Sequence, residues 1–390
     1  MTLTQHPPSP GTPAERLVTR TLALYLISAF GSMTSFYLLL AVVPLYATAA
    51  GAGRVGAGLT TGALMLATVA AELMTPALLA RLGYRVVLAA GLVLLGAPAL
   101  VLIRPAGLAT ILGVCVARGI GLAILVVAGS SLVASLVPHA RRSEGFGLLG
   151  LVAGMPAVLA LPAGVWLAER AGYPPVFVAG AVASLAWLVV MPAMPGRMAG
   201  AGSPIGVLEG LRMRGQRRPA LIFLLTAMGT GIVVTFLPLA IRGSGHLAAV
   251  ALLANTVAAM AARWSAGRFG ARHGQAGLLV GATMVGAIGV ASLALLANPA
   301  AVAIGAILLG IGFGVAQNAV LTLMFVRVTA AGYDMASAMY NLAYDAGMGL
   351  GAAGFGAVAV RIGYPGAFLL TGAVMLAALV PAWRNRGWLG

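Results

Sequence analysis

The sequence contains few charged residues for its length of 390, and it contains no lysine at all. Only 8% of the residues are charged, whereas about a quarter are charged in a typical soluble domain. Seven acidic residues and 23 arginines are too few to cover the surface of one or two domains of this size. Most of the surface must therefore face lipid. This excludes a soluble enzyme, a nucleic-acid-binding protein and a disordered scaffold.

Cysteine and histidine are almost as scarce. Cys115 is the only cysteine, so the chain forms no internal disulfide and no cysteine-based zinc site. The four histidines are scattered, without the spacing of metal ligands. A chain without lysine also has no phosphate-binding loop of the Gly-x-x-x-x-Gly-Lys-Ser/Thr type. The sequence therefore predicts no metal, no cofactor and no ATP-driven activity. Its net charge of +16 comes from dispersed arginines, which does not indicate a nucleic-acid partner.

Long apolar runs make up most of the sequence, and the mean hydropathy is +1.04. A membrane helix needs about 20 mostly apolar residues, whereas barrel strands are about half as long and alternate in polarity. The sequence thus predicts an all-α membrane protein with twelve transmembrane helices. The first run is too long for a signal peptide, and we interpret it as an uncleaved span. The predicted spans lie near 22–48, 57–79, 86–103, 107–136, 146–168, 176–194, 219–241, 247–266, 276–297, 300–326, 337–360 and 366–383.

The arginines predict the orientation, because loops on the cytoplasmic side carry an excess of positive residues. With the N-terminus inside, sixteen arginines fall on the cytoplasmic side and five on the opposite side. Both termini are therefore expected in the cytoplasm. The abundance of Gly, Ala and Arg is typical of a GC-rich bacterial genome. We predict that the chain lies in a bacterial cytoplasmic (inner) membrane.

The two halves of the chain resemble each other at a constant offset of 191 residues. The segment that begins Arg170-Ala-Gly-Tyr-Pro returns as Arg361-Ile-Gly-Tyr-Pro, and Gly119-Ile-Gly returns as Gly310-Ile-Gly. Two halves with the same topology are parallel repeats, with a pathway between them. We predict a six-helix half over 1–194, a basic cytoplasmic linker over 195–218 and a second six-helix half over 219–390.

On these features the chain resembles the major facilitator superfamily of secondary transporters, in particular bacterial efflux permeases for drugs or metabolites. The loop after the second span matches the first family signature at Arg81, Gly83 and Arg85, although Ala80 replaces the usual aspartate. The fourth span resembles the second signature, although Arg118 directly precedes Gly-Ile-Gly and so lies about one turn later than the arginine of that signature. The fifth span matches the antiporter signature only in part. The resemblance implies two pseudo-symmetric six-helix bundles that transport a compound by alternating access.

Four charged side chains fall inside predicted spans, where each costs about 2.5–3.5 kcal/mol on insertion scales. Glu72 and Arg263 lie in the cytoplasmic third, 191 residues apart. With Arg81, Gly83, Arg85 and Arg272 of the signature loops, they are expected to stabilise a gate. Their alternative role is substrate contact.

Arg118 and Asp345 lie near the middle of their spans. Arg118 is either a substrate anchor and proton-relay partner or a structural arginine bonded to carbonyls of the first span. Burial disfavours an ionised carboxyl group, so Asp345 can bind and release a coupling proton. Alternatively, it packs at the interface between the halves. Neutral polar residues complete the predicted substrate pathway: Gln317, Asn318, Asn341, Tyr344 and Asn255.

These residues indicate a proton-coupled exporter of a small organic compound, working as a monomer in the bilayer and not as an enzyme. Few acids within spans favour a proton over Na⁺, which needs several oxygen ligands. A proton-coupled uptake permease for a sugar or an organic acid is the alternative within transporters. A membrane sensor without transport activity is the alternative outside them, but no loop is long enough for an output domain.

Overall fold

The computed structural model describes residues 19–137, 142–197, 212–241, 245–328, 333–377 and 379. Within these ranges all regular secondary structure is helical. The α-helices are α1 Arg20–Leu40, α2 Val42–Ala47, α3 Gly53–Gly96, α4 Leu108–Leu136, α5 Arg142–Ala171, α6 Tyr173–Leu185, α7 Arg214–Ala240, α8 Gly245–His273, α9 Gln275–Ser292, α10 Pro299–Val326 and α11 Tyr333–Ala377. A π-helix (Thr48–Ala52) and two 3-10 helices (Ala97–Ile103 and Ala186–Ala193) extend them.

Nine helical stretches in the described ranges are long and apolar enough to cross a membrane. Two of them, Arg20–Ile103 with 84 residues and Met335–Ala377 with 43, are too long for a single crossing. Glycines with positive φ break both of them: Gly51, Gly53 and Gly83 in the first and Gly363 in the second. The resulting twelve segments fit the twelve predicted spans. The predicted all-α, multi-pass membrane fold is confirmed.

The sequence repeat is also a repeat of local structure. Gly119 in α4 approaches the Leu64 carbonyl so closely that a Cβ would collide with it, and Gly310 in α10 approaches the Asn255 carbonyl in the same way. Both the glycines and their partners are 191 residues apart. Positive φ angles recur at this offset as well, with 77° and 75° at Gly83 and Gly274, and 79° and 73° at Gly172 and Gly363.

The repeat defines two ends of the helical bundle. We call the end with Gly83 and Gly274 the inner end and the end with Gly172 and Gly363 the outer end, following the orientation predicted from the arginines. The two halves meet where α3 packs against α11 and where α5 packs against α8. Near the outer end, the hydroxyl groups of Thr61 and Thr235 form a hydrogen bond of 2.8 Å between the halves.

Candidate functional site

Glu72 and Asp345 lie against each other at the interface between the halves. Glu72 belongs to α3 and Asp345 to α11, and the two side chains are only 9% and 7% exposed. Their carboxyl groups form a side-chain hydrogen bond. Because an ionised carboxylate only accepts hydrogen bonds, this contact requires a proton on one of the two groups. The contact thus brings together two ionisable groups, one from each half.

Small residues let α3 and α11 approach closely enough for this contact. A Cβ added to Gly62 would lie 3.1 Å from the Cβ of Ala353, and one added to Gly349 would lie 2.8 Å from the Cβ of Met65. A Cβ added to Gly58 would likewise collide with the carbonyl oxygen of Ala352. Stripes of glycine and alanine are typical of helices that pack tightly in membranes. We call this contact the α3–α11 seam, and the carboxyl pair lies at its inner side.

Four aromatic rings from three helices of the second half form a block beside the carboxyl pair. The Phe223 ring in α7 stacks on Tyr340 in α11 at a centroid distance of 4.6 Å, and on Phe313 in α10 at 6.1 Å. Tyr344, the neighbour of Asp345 in sequence, stacks on Phe313 at 5.8 Å. Phe223 is fully buried and Phe313 is 8% exposed, whereas Tyr340 and Tyr344, which carry the two hydroxyl groups of the block, are partly exposed.

Tyr37 in α1 and Arg263 in α8 complete the surroundings of the pair. Tyr37 is within electrostatic range of both Arg263 and Asp345, and so is Tyr340. The Arg263 side chain is exposed, in contrast to the buried carboxyl groups. The structure thus gathers Glu72, Arg263, Asp345 and Tyr344, which the sequence singled out, and adds Tyr37.

The other predicted pathway residues differ in burial and in their hydrogen-bond partners. Gln317, Asn318 and Asn341 are partly buried, and Gln317 lies one turn from Phe313 on the same face of α10. Asn255 is 4% exposed, and its Nδ2 donates a hydrogen bond of 2.8 Å to the Ala306 carbonyl. That bond joins α8 to α10, so this amide nitrogen already has a partner within the second half.

Arg118 is 1% exposed and makes its described hydrogen bonds within the first half. Its Nη1 donates to the carbonyl oxygen of Leu95, and its Nη2 donates to that of Ser35 at 3.1 Å. These contacts join α4 to α3 and α1. This geometry matches the alternative role considered above, that of a structural arginine bonded to backbone carbonyls. The described partner of Asp345 is Glu72 and not Arg118.

The signature loop at Gly83 contacts the end of the first half. The Arg85 guanidinium donates hydrogen bonds of 3.1 and 3.2 Å to the carbonyl oxygen of Met194, and the Arg81 carbonyl accepts hydrogen bonds from Arg197. Backbone hydrogen bonds of 3.1 Å join Tyr84 and Arg85 to the same segment. The loop with the predicted gating arginines is thus hydrogen-bonded to residues 194–197, where the predicted linker begins. The side chain of Arg272 lies outside the described residues.

We expect Gly83→Ala to destabilise the protein more than Gly274→Ala. Both glycines have a φ near +75° with an extended ψ, a region nearly restricted to glycine, where another residue costs about 1–3 kcal/mol. Only at Gly83 would the Cβ also collide with described atoms, 2.8 Å from the carbonyl carbon of Gly196 and 2.9 Å from the nitrogen of Arg197. Thermal unfolding of both purified variants measures the difference. Equal losses would show that the contact with Gly196 and Arg197 is unimportant.

Arg54 forms a further contact between the halves, at the outer end. It is the second residue of α3, and its Nη1 donates a hydrogen bond of 2.8 Å to the carbonyl oxygen of Ala359 in α11. Its guanidinium also lies 4.6 Å from the centroid of the Tyr364 ring. We call these contacts the Arg54 latch. Sequence reasoning missed it because an arginine at a helix end is usually solvated, although Tyr364 belongs to the repeated Gly-Tyr-Pro segment.

Comparisons with known proteins agree with this architecture. Residues 25–352 match the sequence profile of the Major Facilitator Superfamily. No curated protein sequence matches the chain significantly. Among solved structures, a POT family transporter in complex with 5-aminolevulinic acid superposes with a TM-score of 0.76 at 12% identity, covering 95% of this chain and 96% of the other.

Two further solved structures show the same similarity of fold. A peptide transporter POT in complex with sulfate has a TM-score of 0.72 at 16% identity, covering 95% of this chain and 94% of its own. The nucleoside transporter NupG also has a TM-score of 0.72, at 12% identity, covering 92% and 98%. At these identities the likeness establishes the fold alone.

Proposed function

The chain belongs to the Major Facilitator Superfamily, and on this premise we propose that it is a proton-coupled secondary transporter, not an enzyme. It moves a small organic compound across the bacterial cytoplasmic membrane by alternating access. The observation that carries the proposal is the hydrogen-bonded contact of Glu72 and Asp345, one from each half. A buried acid that joins two moving parts can make their contact depend on a proton.

The proposed coupling follows from the charge of the pair. While one proton is shared, the two carboxyl groups attract each other and hold α3 against α11. When that proton leaves, two buried negative charges face each other and repel. The repulsion opens the α3–α11 seam, which continues to the Arg54 latch at the outer end. Glu72 Oε1 is buried and has no hydrogen-bond partner among the described residues, so it can accept a returning proton.

The proposed substrate surface is the aromatic block together with Tyr37, Gln317, Asn318 and Asn341. Its stacked rings and few amide groups suit a flat, largely apolar compound better than a sugar, which needs many hydrogen-bonding groups. This composition supports export of a drug-like compound or a metabolite. Arg118 then acts as a positioning residue for α1, α3 and α4, and not as a substrate anchor.

Uptake of an organic acid is the second candidate, and a specific observation favours it. The exposed Arg263 guanidinium lies within electrostatic range of Tyr37 and Tyr340, so it offers a positive charge beside the aromatic block. A carboxylate on the transported compound would pair with this arginine. One of the superposed transporters is bound to such a compound, 5-aminolevulinic acid.

Proteoliposomes with an imposed pH gradient test the function and separate the two candidates. Aromatic cations and aromatic carboxylates serve as the compounds. An exporter that exchanges its substrate for protons accumulates it in the more acidic compartment, whereas an uptake symporter accumulates it in the more alkaline one. Accumulation that depends on the protein in either compartment supports proton coupling. Transport that reaches the same level without a pH gradient contradicts it.

A further inference from the structure

The first half contains a cavity at the place that corresponds to the aromatic block of the second half. Its volume is about 90 Å³, and residues of α1, α4 and α5 line it. Three of these residues correspond to members of the block at the 191-residue offset: Ser32 to Phe223, Leu149 to Tyr340 and Ala153 to Tyr344. Smaller side chains of the first half thus stand where three rings stack in the second half.

The polar groups in the cavity wall allow an apolar ring to enter. Tyr25 in α1 lies against Gly129 in α4, where a Cβ would collide with the tyrosine hydroxyl group. The hydroxyl groups of Ser32 and Ser130 donate hydrogen bonds of 3.0 and 2.9 Å to carbonyls of their own helices. A ring that lies against these two serines therefore leaves neither donor unpaired. Because one liquid water takes about 30 Å³, the cavity accepts part of a single ring and not a bulky polycyclic group.

The place that corresponds to the carboxyl pair has a positive charge and no acid. Arg263 in α8 corresponds to Glu72, and Gly154 in α5 corresponds to Asp345. α5 packs against α8, as α3 packs against α11. A Cβ added to Gly154 or to Gly150 would meet no atom within 4 Å, so there is space beside α5 at this depth. This second contact between the halves thus has an arginine but not the carboxylate that would match Asp345.

The Arg263 guanidinium lies toward the interior of the bundle. It is within electrostatic range of Tyr37 in α1 and of Tyr340 in α11. Its side chain is exposed, and it forms no hydrogen bond or ion pair with another described residue. Glu72 and Asp345 form a hydrogen bond with each other and not with this arginine. Because charged groups within spans usually pair, an unpaired guanidinium at this depth favours an anionic ligand.

We propose that the transported compound is an aromatic carboxylate whose ring enters the cavity of the first half and whose carboxylate pairs with Arg263. The compound supplies what the first half lacks: a ring where the second half has Tyr344, and an acid where it has Asp345. Ala153 and Gly154 are neighbours in the chain, with Cα atoms about 3.8 Å apart, so a short linker joins the two groups. The proposal rests on the proposed transport function and names its substrate class for either direction of transport.

Binding of 3-phenylpropanoate tests the proposal, with the neutral 3-phenylpropanamide as its isostere. Saturation-transfer NMR and calorimetry on the detergent-purified full chain, without a pH gradient, measure both affinities. The carboxylate should bind at least about tenfold more tightly than the amide, because its contact with the guanidinium is charge-assisted. Propanoate, which has no ring to bury, should bind at least about tenfold more weakly than 3-phenylpropanoate. Equal affinity for 3-phenylpropanoate and its amide, or no binding of either, overturns the proposal.

Variants at the two places locate the bound compound. Arg263→Gln should remove the preference for the carboxylate over the amide. Gly154→Asp gives the arginine a carboxylate of the chain itself and should weaken 3-phenylpropanoate binding at least about tenfold, whereas the uncharged Gly154→Asn should weaken it less. Ala153→Phe should fill the cavity and exclude the ring. Its matched control is Ala90→Phe, which adds the same ring at an exposed alanine of α3 and should leave binding unchanged.

Unchanged binding in both Arg263→Gln and Ala153→Phe, with unfolding temperatures equal to that of the wild type, overturns the assignment. If either variant does not fold, Arg263→Lys or Ala153→Val takes its place, with a smaller expected loss of binding. The assay measures binding alone, so it fails separately from the proposed function. Binding of 3-phenylpropanoate without transport driven by a pH gradient contradicts proton coupling. Such transport of other compounds, without binding of 3-phenylpropanoate, contradicts the substrate class alone.

Discussion

Replacing Asp345 with asparagine is expected to abolish accumulation driven by a pH gradient, while downhill exchange of the same compound continues. The asparagine amide can donate a hydrogen bond to Glu72 whether or not that carboxyl group is ionised. The contact between the halves then no longer depends on a proton, so substrate alone drives their opening and closing. Two carboxylates about 4 Å apart repel by about 4 kcal/mol at an effective dielectric constant of about 20, so the lost coupling is large.

Glu72→Gln should have the same effect, because the coupling belongs to the pair. Glu169→Gln is the matched control, since it removes an exposed acid outside the carboxyl pair. Transport in proteoliposomes, with and without a pH gradient, measures all three variants against the wild type. If Asp345→Asn accumulates substrate as well as the wild type does, Asp345 is a packing residue and not a coupling residue.

Replacing Arg54 with alanine is expected to open the outer end. The variant loses the hydrogen bond to Ala359 and the contact with the Tyr364 ring. Hydrogen bonds from charged groups contribute about 1.5–3 kcal/mol and cation–π contacts about 0.5–2 kcal/mol. Arg54 is partly exposed, so solvent screening reduces their sum, and we expect a net loss of about 1–2 kcal/mol. The open population should therefore rise about tenfold.

Spin labels on exposed residues of the two halves measure this opening. Val101 and Leu295 lie at the outer end, are 52% and 62% exposed and can be replaced by cysteine in a Cys115→Ala background. Arg54→Ala should lengthen the distance between the labels. Arg54→Lys should lengthen it less than alanine does, because lysine keeps the charge but lacks the planar group. The matched control is Arg170→Ala, which removes a cation–π contact within one helix. Equal distances in Arg54→Ala and the wild type would show that the latch contributes nothing.

The fold could be predicted from sequence because lipid imposes a strong and simple pattern. Each sequence feature has one dominant cause. The length of the apolar runs follows from the bilayer, the arginine asymmetry from the excess of positive residues on the cytoplasmic side, and the 191-residue offset from the repeat. The breaks between spans were also visible, since Gly83 and Gly363 are glycines at the repeat offset and adopt φ angles that disfavour other residues.

Individual residues of the site could be predicted from the sequence, but not which of them lie together. Glu72 and Asp345 were both conspicuous as acids in a span, but their contact depends on how α3 lies against α11, which no local pattern encodes. For the same reason we expected Asp345 to work with Arg118, whose described partners are backbone carbonyls of its own half. The aromatic block was missed because Phe223 and Phe313 are indistinguishable from lipid-facing residues until the helices are packed.

The most direct test of the central claim measures the distance between the Val101 and Leu295 labels while the pH is raised, without any substrate. The claim is that one proton shared by Glu72 and Asp345 holds the two halves together. In the wild type the distance should lengthen as the pH rises and the shared proton leaves. In the double variant Glu72→Gln, Asp345→Asn it should remain short at every pH. A pH response of equal size in the double variant would contradict the claim, because the titrating group would then lie elsewhere.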